Sequence, residues 1–599
     1  MSIIYGWLSP QKQTATAYTL RQLSATHSHT IEHSHQLAAM GGYDIQKTPS
    51  SYQSNDLLVI VDGTLNWQDT ELAEFQQSHS SAETLAKGFQ QHGKTILNRL
   101  KGQFAIAIIK PDSQYCLLAI DPLGIRPLAY YYQDGLLVFS SQLDNILIHP
   151  QVKTKINPQG IFNYLYFQMI PSPNSIYQHI AKLQPGEMIE CKQGQLQKDF
   201  YWQQDYTDST ISETKLAQQL TEQLKQSVQQ SLRPEKTGAF LSGGLDSSTV
   251  CGVFQSLSDT PIDAFSIGFD AEGYDEMEFA RISARHFGVK LHEYYVTPDD
   301  VLKAIPLIAA TYDEPFGNAS AIPAYYCAKF AKQHGIQHLL AGDGGDEIFA
   351  GNERYVKQKI FDLYRFCPEI IKQALLEPLS NIAALSKVKS YIEQAKIAMP
   401  ERMETYNFLH RSPLVDIFAK DFLASIDSSQ PIELLNQSYH RTNTDSLVKN
   451  MLAVDAKFTL ADNDLRKVNQ MCQLAGVDVS YPLLQQNLVD FSATIPSQLL
   501  IKRFELRAFF RHAIADFLAP ETLSKNKQGF GLPFGVWMNT HQGLKDFADA
   551  NLQSIQQRGI LNPNYIKTII EAQQQGHAAY YGVMIWLLIM LEQWLQTHE

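Results

Sequence analysis

The run Phe240-Leu241-Ser242-Gly243-Gly244-Leu245-Asp246-Ser247-Ser248-Thr249-Val250 concentrates more potential chemistry than its neighbours. An apolar strand feeds a small-residue turn, and the turn opens a helix. Two glycines let the backbone approach an anion closely, the amides that follow point at it, and the hydroxyls of Ser242, Ser247 and Ser248 add donors at the helix N-terminus. This is the make-up of a phosphate cradle, with Leu241, Gly244 and Leu245 shaping its backbone. A Walker-type loop would carry Lys followed by Ser or Thr after its last glycine, and its absence argues against transfer of a γ-phosphate. Asp246 stands inside the cradle instead. A carboxylate beside bound phosphates repels them unless a divalent cation lies between, which predicts Mg²⁺ shared with a nucleotide.

A second turn, Ala341-Gly342-Asp343-Gly344-Gly345-Asp346-Glu347-Ile348-Phe349-Ala350-Gly351, follows the apolar strand 337–341. Both turns stand where parallel strands end, so both can face one site. Mg²⁺ takes carboxylate oxygens together with substrate phosphates, and Asp346 is the expected second ligand opposite Asp246.

The elements around these loops set the architecture. From about residue 212 a long amphipathic stretch precedes strand candidates at 238–241, 262–267 and 337–341, with helical periods between them. Strands alternating with helices imply a parallel sheet whose ligands bind at the carboxyl ends of the strands. Beyond about residue 355 the chain reads as mainly helical. The first 200 residues differ: short β-rich runs at 57–61, 104–109, 115–120 and 136–140 are separated by turn signals such as Asp62-Gly63 and Lys110-Pro111-Asp112, with local helix at 82–92. This half reads as α+β with a mostly antiparallel sheet. The expected division is residues 1–205 and 206–599.

Composition bounds the function classes. The chain of 599 residues is 44% hydrophobic and 18% charged, which is globular and not disordered. A formal net charge of −12 argues against nucleic acid as a partner. Six scattered cysteines include no CxxC pair, so neither a disulfide framework nor a zinc cage is indicated. No basic-then-apolar leader opens the chain. The apolar stretch 581–595 is interrupted by Glu592 and Gln593, and is expected to be a buried helix and not a membrane span. A cytoplasmic location follows.

Together the two loops carry a resemblance. The Ser242–Ser248 run is similar to the pyrophosphate loop of the ATP-pyrophosphatase superfamily, and with 342–347 it resembles the asparagine synthetase family. Agreement extends through Phe265-Ser266-Ile267-Gly268-Phe269, Tyr274-Asp275-Glu276, Asp313-Glu314-Pro315-Phe316, 460–468 and 525–537. The resemblance implies a ligase in which a carboxylate attacks the α-phosphate of ATP, pyrophosphate leaves on the cradle, and an amine displaces AMP. It implies that Leu241 and Ile267 contact adenine through backbone, and that Ala341 and Gly342 lie near the ribose and α-phosphate. Lys527 matches the catalytic lysine, whose ammonium would stabilise charge developing on the α-phosphate. Asp343 matches an acid that contacts the acyl-adenylate or takes a proton from the attacking amine. One departure concerns the acceptor. Where many members read acid-x-Arg-x-Pro-Leu-Leu-Asp, this chain reads Asp478-Val479-Ser480-Tyr481-Pro482-Leu483-Leu484-Gln485, so an arginine fork and an aspartate are missing, and the expected acceptor, small or peptidic, is a carboxylate related to aspartate as readily as aspartate itself.

The first half resembles the N-terminal-nucleophile glutaminase domain of the same family, an αββα sandwich, through 62–66, 100–105 and 121–128. Active members place cysteine after the initiator methionine; here that residue is Ser2. No His-Arg-Gly-Pro segment occurs, the usual Asn-Gly-Glu reads Asp62-Gly63-Thr64, and Ser81 stands where an aspartate is expected. These losses predict an inactive, structural glutaminase fold, with nitrogen taken from ammonia or from a substrate amine. The rival expectations are a cyclase that uses the substrate's own amine, as β-lactam synthetases and lasso-peptide cyclases do, and a catalytically inert ATP-binding scaffold. Homodimerisation through this half is left open.

Overall fold

The computed structural model describes residues 2–10, 29–44, 49–372, 386–525 and 531–598. Twelve strands build the first half: β1 (Ile3–Leu8), β2 (His29–Ser34), β3 (Ala38–Asp44), β4 (Ser50–Gln53), β5 (Leu58–Trp67), β6 (Leu100–Lys110), β7 (Tyr115–Ile120), β8 (Ala129–Gln133), β9 (Leu136–Ser140), β10 (Ile180–Lys182), β11 (Glu187–Lys192) and β12 (Gln195–Phe200). They form two six-stranded sheets ordered β10-β8-β9-β1-β3-β2 and β12-β11-β7-β6-β5-β4. Every pairing is antiparallel.

The period-2 alternation of strand side chains sorts residues into layers. In β5 and β6, Leu58, Ile60, Ala105, Ala107 and Ile109 face the other sheet, meeting Ile4, Leu8 and Met40. Their neighbours Val59, Val61, Ile106 and Ile108 face outward onto the helix Ser81–His92 through Leu85 and Phe89. On the far side, Ile3, Tyr5 and Trp7 of β1 pack into a core that includes the helix Pro158–Phe167. The result is an αββα sandwich. Asp62-Gly63, expected to be a turn, instead lies inside β5. Gly63, opposite Phe104, has φ +105°, Gly102 on the neighbouring strand has φ +124°, and a Cβ on Gly63 would stand 1.9 Å from the Gln103 carbonyl oxygen. The glycine signal therefore marks a kink and a close backbone approach within a strand.

The second half centres on a parallel sheet of β13 (Thr237–Phe240), β14 (Asp263–Phe269), β15 (Lys290–Val296), β16 (His338–Leu340) and β17 (Asp478–Ser480), ordered β15-β14-β13-β16-β17. The chain runs from β13 outward to β15, then returns to place β16 on the other side of β13. A crevice opens at such a switch point.

The helix Ala578–His598 is the one helix among the described residues long and apolar enough to cross a membrane. It lies instead inside the protein. Trp586 Nε1 donates to the Gly317 carbonyl (2.9 Å), Trp594 Nε1 to Tyr312 (3.0 Å), and Tyr164 of the first half donates its hydroxyl to the Leu587 carbonyl (2.8 Å). Glu592, which interrupts the apolar run, is fully buried and paired with Arg558. The expected buried helix is thus found.

Candidate active site

Both glycine-rich turns emerge at the switch point. They border a cleft of about 730 Å³, lined by Leu241, Ser242, Gly244, Leu245, Asp246, Ser247, Ile267, Gly342, Asp343 and Asp346, with Lys467, Arg507 and Lys525.

The cradle turn is shaped by packing as much as by any ligand. Gly243 adopts φ +70°, and a Cβ there would stand 2.3 Å from the Phe279 carbonyl carbon. Only glycine lets the turn sit this close to the helix Met277–Phe287. Gly244 caps the helix Leu245–Ser256, whose first amides have no partner within the helix and so face the cleft as donors. Ser242 and Ser247 brace each other, Oγ to Oγ at 3.0 Å, and the Ser242 amide donates to Ser247 Oγ at 3.1 Å. Ser248 departs from expectation. Its hydroxyl pairs with Ser283 Oγ (2.9 Å) and its amide donates to the Gly244 carbonyl (3.0 Å), so it is turned into the protein and offers the cleft no donor. Helical geometry is the reason: Ser247 and Ser248 are adjacent, and 100° of rotation sends them to different faces.

The second turn is pressed against the first. A Cβ on Gly342 would stand 2.7 Å from the Ser247 nitrogen, and one on Gly345 would stand 2.0 Å from Asp246 Oδ1. Ala341 spends its amide on the Ser480 carbonyl (3.0 Å), continuing the sheet. Asp343 lies in the cleft with its pKa raised to about 6, chiefly by burial, against the opposing pull of the Lys467 ammonium. Lys467 in turn pairs with Asp464 at 2.7 Å. This lysine belongs to the helix Arg466–Ala475, which follows a stretch of π-helix, Ala456–Leu465. Such wide turns redirect side chains and recur at functional sites.

Asp246 and Asp346 do converge, as expected for shared metal ligands, and a cation already stands between them. Arg507 Nη1 lies 2.8 Å from Asp246 Oδ2 and 3.1 Å from Asp346 Oδ1, while Nη2 bonds Asp246 Oδ1. Burial works against the guanidinium's charge but is outweighed by Asp246 and then Asp346, so its pKa is raised. The donor set fits Mg²⁺: two carboxylates, each within reach of one point, beside a loop built for phosphate. Arg507 was not visible as a site residue in the sequence, where it sits in no motif.

Lys525, the first residue of a family-like segment, reaches the cleft and pairs with Glu276 at 3.1 Å. Lys527 lies outside the described residues. Ser480, at the position of the missing arginine, turns its hydroxyl to buried His338 Nε2 (2.9 Å). Burial depresses that imidazole to a pKa of about 3, so it is neutral and serves as an internal strand link. In the first half, buried Ser2 donates its hydroxyl to Asp44 Oδ2 (2.8 Å) and its amide to Asp62 Oδ1 (3.1 Å).

Comparison with known proteins bears on the family. A family model described as asparagine synthase matches residues 219–596, and one described as a glutamine amidotransferase domain matches residues 23–202. Asparagine synthetase (glutamine-hydrolysing) 1 of Bacillus subtilis is 24% identical over 91% of this chain and 86% of its own length. Putative asparagine synthetase (glutamine-hydrolysing) 2 of Methanocaldococcus jannaschii is 29% identical over 58% of this chain and 71% of its own.

Proposed function

The chain belongs to the asparagine synthase family and is a carbon–nitrogen ligase of that type; from that premise we propose that it activates a carboxylate by adenylation and passes it to ammonia or an amine. The observation that carries this reading is the meeting of the 241–247 and 342–346 turns around one cleft that holds Asp246, Asp346 and Asp343 together. In the first step a carboxylate oxygen bonds to the α-phosphorus of ATP as the bond to the bridging oxygen breaks, giving acyl-adenylate and pyrophosphate. The helix amides and the Ser242–Ser247 pair receive the pyrophosphate, Leu241 and Ile267 flank the adenine, and Ala341-Gly342 approach the ribose and α-phosphate. Asp246 and Asp346 would hold Mg²⁺, which would supply charge neutralisation beside the phosphates. Lys527 stabilises the α-phosphate charge. In the second step the amine nitrogen bonds to the acyl carbon, AMP leaves, and the Asp343 carboxylate accepts the proton.

The nitrogen source in this proposal is ammonia from solution, although the relatives are named glutamine-hydrolysing. Ser2 brings a hydroxyl where a thiol would attack, and that hydroxyl is bonded to Asp44. A second reading, a cyclase that uses an amine of the acceptor, is favoured by Ser480, whose side chain faces into the sheet and offers an acceptor carboxylate no cation.

The test is AMP and pyrophosphate release from purified protein with Mg-ATP and aspartate, with no donor, ammonium or glutamine, and with a Lys527→Ala control. Ammonium-stimulated AMP release with asparagine formed, lost in the control and unmoved by glutamine, is the expected result. Equal stimulation by glutamine overturns the silent glutaminase. No AMP under any condition removes aspartate as acceptor and leaves the cyclase reading.

A further inference from the structure

We infer that Arg507 is a resident counter-ion for Asp246 and Asp346, one that yields to a divalent metal only when a nucleotide arrives. The inference rests on those two carboxylates being the metal ligands, and goes beyond it by setting the order in which metal and nucleotide enter.

Three observations support it. First, a single nitrogen, Arg507 Nη1, reaches an oxygen of each carboxylate, so the guanidinium stands where a bridging cation would stand. Second, both carboxylates are packed against glycine backbone: a Cβ on Gly345 would meet Asp246 Oδ1 at 2.0 Å and one on Gly351 would meet Asp346 Oδ1 at 1.7 Å. Third, Arg507 is buried and holds φ +57°, a conformation that a side chain with Cβ adopts at a cost and keeps where the surroundings enforce it.

The electrostatics follow. One guanidinium offsets half the charge of the two carboxylates, and a divalent ion entering beside an undisplaced Arg507 would meet a like charge within a few ångströms. A triphosphate changes the balance. It brings several negative charges to the cradle next door, and a planar guanidinium bonds phosphate oxygens in pairs. Arg507 can then exchange carboxylate for phosphate and release Asp246 and Asp346 to the metal. Metal and nucleotide affinities are thereby coupled, each raising the other by the same factor.

The experiment is Mn²⁺ binding to the full-length protein, read as metal retained with the protein at equilibrium dialysis and corrected by protein-free controls for chelation by the analogue, with and without α,β-methylene-ATP. It is run on wild type, Arg507→Met and Arg507→Gln, each checked for native circular dichroism. Wild type is expected to take up Mn²⁺ only with the nucleotide analogue. Whichever Arg507 variant folds is expected to bind Mn²⁺ alone roughly tenfold or more tightly than wild type does, the scale of one removed like charge. Equal Mn²⁺ affinity of wild type with and without the analogue overturns the inference, as does an Arg507 variant that binds the metal alone no better than wild type. Failure of wild type to bind Mn²⁺ even with the analogue, with Asp246→Asn indistinguishable from it, overturns the metal assignment itself.

Discussion

Asp343 offers a direct chemical reading of the cleft. Its pKa of about 6 means that below this pH the carboxyl carries a proton and cannot accept one from the attacking amine. The acyl-transfer rate should therefore fall on an acid limb near pH 6. Lys467 holds that value down, so Lys467→Met should move the limb to higher pH; a pH–rate profile measured with ammonium in excess checks both, and an unmoved limb would remove Asp343 as the base. Residues of this kind were legible because they lie in short runs of unusual composition: glycine beside acid in 342–347, glycine beside serine in 242–248. Arg507 was not, because its partner Asp246 lies 261 positions away and no local pattern distinguishes it from a surface arginine. Ser248 misled for the opposite reason. Its place in the run suggested a donor, and only the path of the helix shows it facing Ser283.

At the scale of elements, the turn Lys502 to Glu505 is out of keeping with its residues. Lys502 and Glu505 form an antiparallel bridge, and the Glu505 amide donates to the Lys502 carbonyl at 2.9 Å. The two residues between them, Arg503 (φ +51°) and Phe504 (φ +65°), are both left-handed, as in hairpin turns that favour Asn-Gly. Each non-glycine residue there costs about 1–2 kcal/mol, and Phe504 is 48% exposed, so little packing is lost by removing it. Arg503→Asn combined with Phe504→Gly should stabilise the protein by roughly 1–3 kcal/mol, seen as a higher urea midpoint with unchanged m. The parallel sheet could be anticipated from strands alternating with helices and the mostly antiparallel first half from its short β-rich runs, whereas the αββα layering was implied by the family resemblance. The extent of β5 could not, since Asp-Gly ends strands far more often than it kinks them. Nor could β17, a strand of only three residues, which exists because β16 offers an edge.

Across the whole molecule the halves are joined by buried charge. Glu314 of the second half is fully buried and binds Lys182 of the first at 2.6 Å together with Arg466, and it accepts the Ile176 amide at 2.9 Å. Burial alone would raise its pKa, but the two cations outweigh it and hold the carboxylate ionised. Glu314→Ala leaves buried Lys182 without its ion-pair partner and Arg466 with Asp313 alone, and should cost about 3–5 kcal/mol, read by calorimetry as a lower transition temperature. The bond from Tyr164 to the Leu587 carbonyl carries a different consequence, one of timing. These partners are separated by 423 residues. At a synthesis rate of about 5–20 residues per second, Tyr164 leaves the ribosome roughly 20–85 s before the helix that covers it. Through that interval the buried Tyr164 hydroxyl has no Leu587 carbonyl to donate to. The first half can therefore finish its sheets early and still hold an unfinished seam at Tyr164 until Ala578–His598 has been made.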